Sequence, residues 1–169
     1  RNYLLLPYLS NHGKYLETRF IVSGLAGAIG FPLYYLVWHN LFPQPYENLP
    51  LRLLGSLFLL PTILAKQWPE SWQRYLPIYW HFAILYALPF FFTFMLLKNH
   101  GNSIWLMSSL SALFLFILIV DWRALIALLI IGAVSAVLAY KLSTSADATN
   151  AFRFEYLPIF LFTVILGTA

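Results

Sequence analysis

Four histidines, six carboxylates and a set of hydroxyls beside a tryptophan are the side chains in this sequence that could do chemistry. Histidines ligate a metal or a haem iron only where two or more converge. The placement of charge along the chain sets His39 near the outer end of the first predicted span and His81 near the cytoplasmic end of the third, so the two cannot share one iron. His12 and His100 stand in polar connections, and none of the four has the i, i+4 spacing or HExxH context of a metal site. The chain has no cysteine, hence no disulfide framework and no thiolate ligand. Glu17, Glu47, Glu70, Asp121, Asp147 and Glu155 all fall at predicted span ends or in loops. A proton relay or ion-coupled carrier needs a carboxylate within a span, which weighs against both. No Gly-x-Ser-x-Gly, Walker or dinucleotide fingerprint occurs either, so no catalytic residue and no metal site are assigned.

The polar groups that do stand inside an apolar stretch are Trp105, Ser108, Ser109 and Ser111. Trp105 and Ser108 are three apart, which puts them on one face of a helix. An indole N–H only donates, whereas a serine hydroxyl both donates and accepts. Such a pair could hold a small polar head while aliphatic and aromatic walls enclose an apolar tail. The alternative is that the serines permit close helix packing, or bond back to carbonyls of their own helix. Phe160 and Phe162, after Pro158, add aromatic surface in a later stretch, with Thr163 beside them.

The elements that must position these residues follow from the composition. Of 169 residues, 61% are hydrophobic, 19% aromatic and 9% charged, against roughly 25% charged in a soluble domain. So few charges cannot clothe a water-facing globule, and the solvent must be lipid. Residues 20–46, 75–97 and 99–120 carry no Asp, Glu, Lys or Arg, and each exceeds the about 20 residues that cross a hydrocarbon core. Residues 124–140 and 53–65 are shorter uncharged runs whose flanking cations can snorkel. The pattern predicts an all-α, integral membrane bundle of six helices at roughly 20–42, 51–66, 76–97, 103–120, 124–140 and 156–169, with residues 1–19 as a cytoplasmic or interfacial segment. Asn48 is placed to cap the second helix. The last run is still apolar at Ala169, so the expectation is a truncated final helix and a longer chain. Arg1, Lys14, Arg19, Lys66, Arg74 and Arg123 face Arg52, Lys98, Lys141 and Arg153, a bias that sets both termini in the cytoplasm. Trp38, Trp68, Trp72, Trp80 and Tyr75, near span ends, read as membrane-interface anchors.

A more specific pattern lies in Gly30-Phe31-Pro32, Tyr34-Tyr35, Trp38, Phe42-Pro43-Gln44, Tyr46-Glu47-Asn48-Leu49 and Leu51-Arg52. It continues in Trp72-Gln73-Arg74-Tyr75, Leu88-Pro89-Phe90-Phe91-Phe92, Ile104-Trp105, Met107-Ser108 and Tyr156 with Pro158-Ile159-Phe160-Leu161-Phe162-Thr163. From about Gly30 onward the chain resembles the membrane sensor of the CqsS/LqsS-type quorum-sensing histidine kinases. The resemblance implies six membrane helices followed by a cytoplasmic kinase, in the bacterial inner membrane. It implies an α-hydroxyketone signal read by Trp105, Ser108, Phe160 and Phe162, a homodimer, and a phosphorelay protein or response regulator as partner. ATP and Mg²⁺ would belong to the kinase part beyond residue 169; no cofactor is expected in this segment, and nucleic acid is not expected as a partner. Two other readings stand beside it: a small transporter or channel-like module for a neutral amphiphile, and a membrane-embedded lipid enzyme.

Overall fold

The computed structural model describes the backbone of residues 6–144 and the side chains of residues 18–144. All regular structure among them is helical. Helix α1 (Leu6–Leu36) continues as a π turn over Val37–Leu41. Helix α2 (Leu49–Ile63) is followed by a 3₁₀ turn at Ala65–Gln67 and the single-turn α3 (Glu70–Gln73). Helix α4 (Leu76–Leu85) runs through a second π turn, Tyr86–Phe90, into α5 (Phe91–Lys98). Helices α6 (Ser103–Ile119) and α7 (Trp122–Leu142) complete the described chain.

Three stretches are long and apolar enough to cross a membrane: Thr18–Leu41, Leu76–Lys98 and Trp122–Ser143. They match the runs expected at 20–42, 76–97 and 124–140 within a few residues. The runs expected at 51–66 and 103–120 are the shorter apolar helices α2 and α6, of 15 and 17 residues. The stretch 156–169 lies outside the described residues. The backbone is already helical at Leu6, the first described residue, well before the expected start of the first span.

Contacts between helices divide the chain into two units. The first, Arg1–Val37 with Leu49–Ala83, is built on α1 against α2. Small residues set that contact: a Cβ on Gly24 or Gly27 would run into the Thr62 and Leu59 side chains, and one on Gly55 would meet the Phe31 ring at 3.0 Å. Without a side chain in the way the two backbones approach, as helices in lipid must if packing is to hold them. Pro32 lies inside α1 and has no N–H for the carbonyl one turn back. That carbonyl, of Ala28, accepts from Ser56 Oγ on α2 at 3.1 Å. Trp80 of α4 is buried against Phe20, with ring centroids 5.2 Å apart, and its indole donates to Ser23 Oγ at 2.8 Å.

The second unit comprises Trp38–Asn48 and the chain from Ile84 onward. Pro89 would clash with the preceding turn of an α-helix, and the wider π turn removes that conflict. Gly132 of α7 packs on this turn: an added Cβ would stand 2.7 Å from Pro89 Cβ and 3.1 Å from the Phe90 nitrogen. At the other end of α5 the chain reverses in a Schellman motif. Gly101 N–H donates to Leu96 O at 2.9 Å and His100 N–H to Leu97 O at 3.1 Å. His100 therefore takes the left-handed conformation, φ 54°. Its backbone thus closes the turn. Asp121 caps α7 by accepting from the Arg123 and Ala124 N–H groups at 3.2 and 3.3 Å, and the Arg123 guanidinium lies 5.3 Å from the Trp122 ring centroid.

Two stability changes follow. Gly132→Ala should cost about 1–3 kcal/mol, because a proline ring and a backbone atom cannot swing aside; thermal unfolding in detergent at the parent midpoint would contradict the packing described. His100→Gly should be neutral or stabilising by up to about 1 kcal/mol, whereas His100→Val should destabilise. Earlier unfolding of the glycine variant would show that the imidazole, not the turn geometry, matters.

Candidate functional site

The first turn of α6 is fixed by Asn102, whose Oδ1 accepts from the Trp105 N–H at 2.9 Å and whose Nδ2 donates to Gln44 Oε1 at 3.0 Å. This cap holds the backbone from which Trp105 projects. The indole is fully buried, with centroids 6.3 Å from those of both Phe91 and Phe92 and inclined rings. Aromatic pairs of this kind each add about 0.5–1.5 kcal/mol beyond burial. Trp105 thus stands in an aromatic wall of α5 and α6.

The serines divide two ways. Ser108, half-buried and on the face of Trp105, donates to Ile104 O at 2.8 Å. Ser111, exposed, donates to Met107 O at 2.9 Å. Both are bonds to the carbonyl one turn back on the same helix. Ser109 is buried and instead reaches Phe92 O on α5 at 3.4 Å. The back-bond commits the Ser108 proton but leaves its oxygen able to accept. Phe160 and Phe162 lie outside the described residues.

Beside this wall lies a polar node that sequence reasoning missed. Asn99, 2% exposed, accepts from the Tyr46 N–H at 2.9 Å and donates to Tyr46 O at 3.0 Å and Met95 O at 2.9 Å. Its amide pairs with the loop 42–48 as a neighbouring strand would. The Tyr46 ring meets Phe94 edge-on at 6.2 Å, and Asn48 donates to its hydroxyl at 3.0 Å. Lys98 Nζ donates to Ser143 O at 3.0 Å and Thr144 Oγ1 at 2.8 Å, and lies 5.4–5.8 Å from the centroids of Tyr46, Phe94 and Tyr140. A cation among ring faces at the carbonyl end of α7 is favoured by both the quadrupoles and the helix dipole. Counting Lys98 only as a loop charge hid this; no local spacing signals a partner 45 residues away.

Elsewhere, Arg52, counted outside the spans, lies in the first turn of α2 and is 3% exposed. His81 Nδ1 stands 2.7 Å from Pro77 O and its ring packs edge-on against Trp80 at 5.0 Å. Among the described residues no three His, Asp or Glu side chains gather as a metal site. Trp68 does not wet its polar edge as an interface anchor would: its Nε1 donates to Pro61 O at 3.0 Å. It lines, with Pro61, Trp72, Tyr75 and Tyr79, a hollow of about 560 Å³ that belongs to the first unit, whereas Trp105 belongs to the second.

No family model matches the chain, and no solved structure is similar to it. Among the curated proteins that match it is the CAI-1 autoinducer sensor kinase/phosphatase CqsS of Vibrio cholerae serotype O1, 39% identical over 155 residues. The match takes in 91% of this chain and 23% of that protein, so the chain spans about a quarter of the relative's length. Over nearly all of its own length, this chain is a relative of the CqsS autoinducer sensor kinase.

Proposed function

We propose that this chain is the ligand-sensing membrane portion of a quorum-sensing sensor kinase, binding an α-hydroxyketone within its helices and so setting the activity of a cytoplasmic kinase/phosphatase. The observation that carries the reading is the 39% identity to CqsS across 91% of the chain. In this reading residues 20–169 form a six-span bundle in the bacterial inner membrane, with residues 1–19 at its cytoplasmic face and both ends cytoplasmic. Supporting the alternation of spans, the 42–48 loop, the α5–α6 turn and the end of α7 meet at one node through Asn99 and Lys98. The positive-inside bias assigns that node to the outer face.

The ligand's chemistry fits the groups on α6. An α-hydroxyketone presents a carbonyl acceptor beside a hydroxyl donor. Trp105 is a donor, and Ser108, with its proton on Ile104 O, is an acceptor. Phe91 and Phe92 continue the wall toward an alkyl tail, whose transfer out of water is worth about 0.8 kcal/mol per CH₂. Phe160 and Phe162 complete the pocket from the final span. Binding shifts the kinase only in so far as the ligand prefers one signalling state. The π turn at Pro89, one residue before Phe90-Phe91-Phe92, gives α5 a place to bend between states. The kinase part, using ATP and Mg²⁺, passes the signal to a phosphorelay partner, and the receptor acts as a homodimer.

Ser108→Ala should raise the hydroxyketone concentration for half-maximal response about fivefold, the worth of one hydrogen bond. Trp105→Ala should raise it more, with membrane insertion intact in both. Dose–response curves of both variants lying on the parent curve would remove these residues from the site.

A further inference from the structure

We propose that the hollow between the end of α2 and the start of α4 holds an acyl chain of one anionic phospholipid, whose phosphate is met by Lys66 and Arg74. The hollow, about 560 Å³, is walled by Pro61, Trp68, Trp72, Tyr75 and Tyr79, and a second of about 430 Å³ adjoins it through Pro61, Trp68 and Trp72. Tryptophan and tyrosine at a bilayer surface ordinarily aim their polar atoms at headgroups. Here Trp68 Nε1 is spent on Pro61 O at 3.0 Å and Tyr79 Oη on Phe58 O at 2.8 Å. Both polar atoms are turned onto α2, and what the two rings leave for an occupant is apolar face. The walls are also braced, Trp68 lying 5.5 Å from Tyr79 and 6.4 Å from Trp72 between ring centroids. Yet Trp72 remains 62% exposed and Tyr75 49%. Aromatic surface of that extent beside an apolar hollow fits an occupant with a hydrocarbon chain.

Charge selects the head. The Arg74 guanidinium is exposed and 4.6 Å from the Tyr75 centroid, at the edge of the hollow. Lys66 is exposed in the 3₁₀ turn, beside Gln67, which lines the adjoining hollow. Glu70, at the start of α3, is the acidic residue between them. Summed over Lys66, Glu70 and Arg74, the turn therefore carries one net positive charge beside this open apolar hollow. A neutral hydroxyketone gains nothing from these cations, and a zwitterionic headgroup, whose ammonium offsets its phosphate, gains less than an anionic one. An anionic headgroup gains about fivefold in affinity for each. The inference rests on the chain lying in a bilayer and is independent of what signal it senses.

The test places the protein in phosphatidylcholine vesicles and follows tryptophan fluorescence as phosphatidylglycerol or phosphatidylcholine with brominated acyl chains is added. Brominated phosphatidylglycerol should reach half-quenching at a mole fraction about fivefold or more below brominated phosphatidylcholine. The paired change Trp68→Phe with Trp72→Phe should remove the part of the quenching that distinguishes phosphatidylglycerol from phosphatidylcholine, leaving what the other tryptophans contribute to both curves. Lys66→Gln with Arg74→Gln should bring the two lipid curves together, while Arg74→Lys should keep them apart. Coincident curves for the parent, or a preference that survives loss of both cations, would overturn the proposal. Protein that fails to float with the vesicles would contradict residence in the bilayer itself.

Discussion

Backbone polar groups in an apolar environment have no water to fall back on, so each must be satisfied from within the protein. In this chain the constraint is sharpened by prolines inside apolar helices, each of which removes a donor from the ladder. The answers differ by position. At Pro32 a hydroxyl from the neighbouring helix reaches the carbonyl of Ala28. Pro61 stands two residues before the end of α2, and its own carbonyl, among the last that no helical N–H can serve, takes the Trp68 indole. At Pro89 the helix widens into a π turn and α7 offers a glycine to pack on it.

These repairs also organise the rest. Because Ser56 must reach Ala28 O, α1 and α2 must lie close, and Gly24, Gly27 and Gly55 permit it. The π turn sets α5 so that Phe91 and Phe92 meet Trp105 while its far end carries Lys98 and Asn99. Those adjacent residues hold two different segments: Asn99 the loop at Tyr46, Lys98 the exit of α7. The aromatic wall and the polar node therefore share one short helix. Whatever moves the wall has a route to the place where the chain leaves α7, which gives the sensing reading a physical path.

What the sequence made legible was local. Charge-free runs marked Thr18–Leu41, Leu76–Lys98 and Trp122–Ser143 because a charge within a span is costly wherever the helix packs. The pairing of Trp105 and Ser108 on one face followed from helical period alone. Three kinds of feature were hidden. Long-range partners such as Lys98 with Ser143 have no sequence signal. The choice each serine makes, a carbonyl one turn back on its own helix for Ser108 and Ser111 but one on α5 for Ser109, depends on what the neighbouring helix presents. Likewise the buried Arg52 and the inward-turned Trp68 sit near span ends, where sequence predicts solvated charge and wetted aromatics, and tertiary packing decides otherwise.

The central claim is that a hydroxyketone occupies the α6 face carrying Trp105 and Ser108. Photo-crosslinking tests it most directly, using a long-chain α-hydroxyketone with a diazirine close to the ketone and the membrane-embedded protein, followed by mass spectrometric mapping of adducts. The account predicts adducts within the first two turns of α6 and on the facing Phe91-Phe92 segment, displaced by unlabelled hydroxyketone. Adducts that are not displaced, or that fall only on other helices, would contradict it.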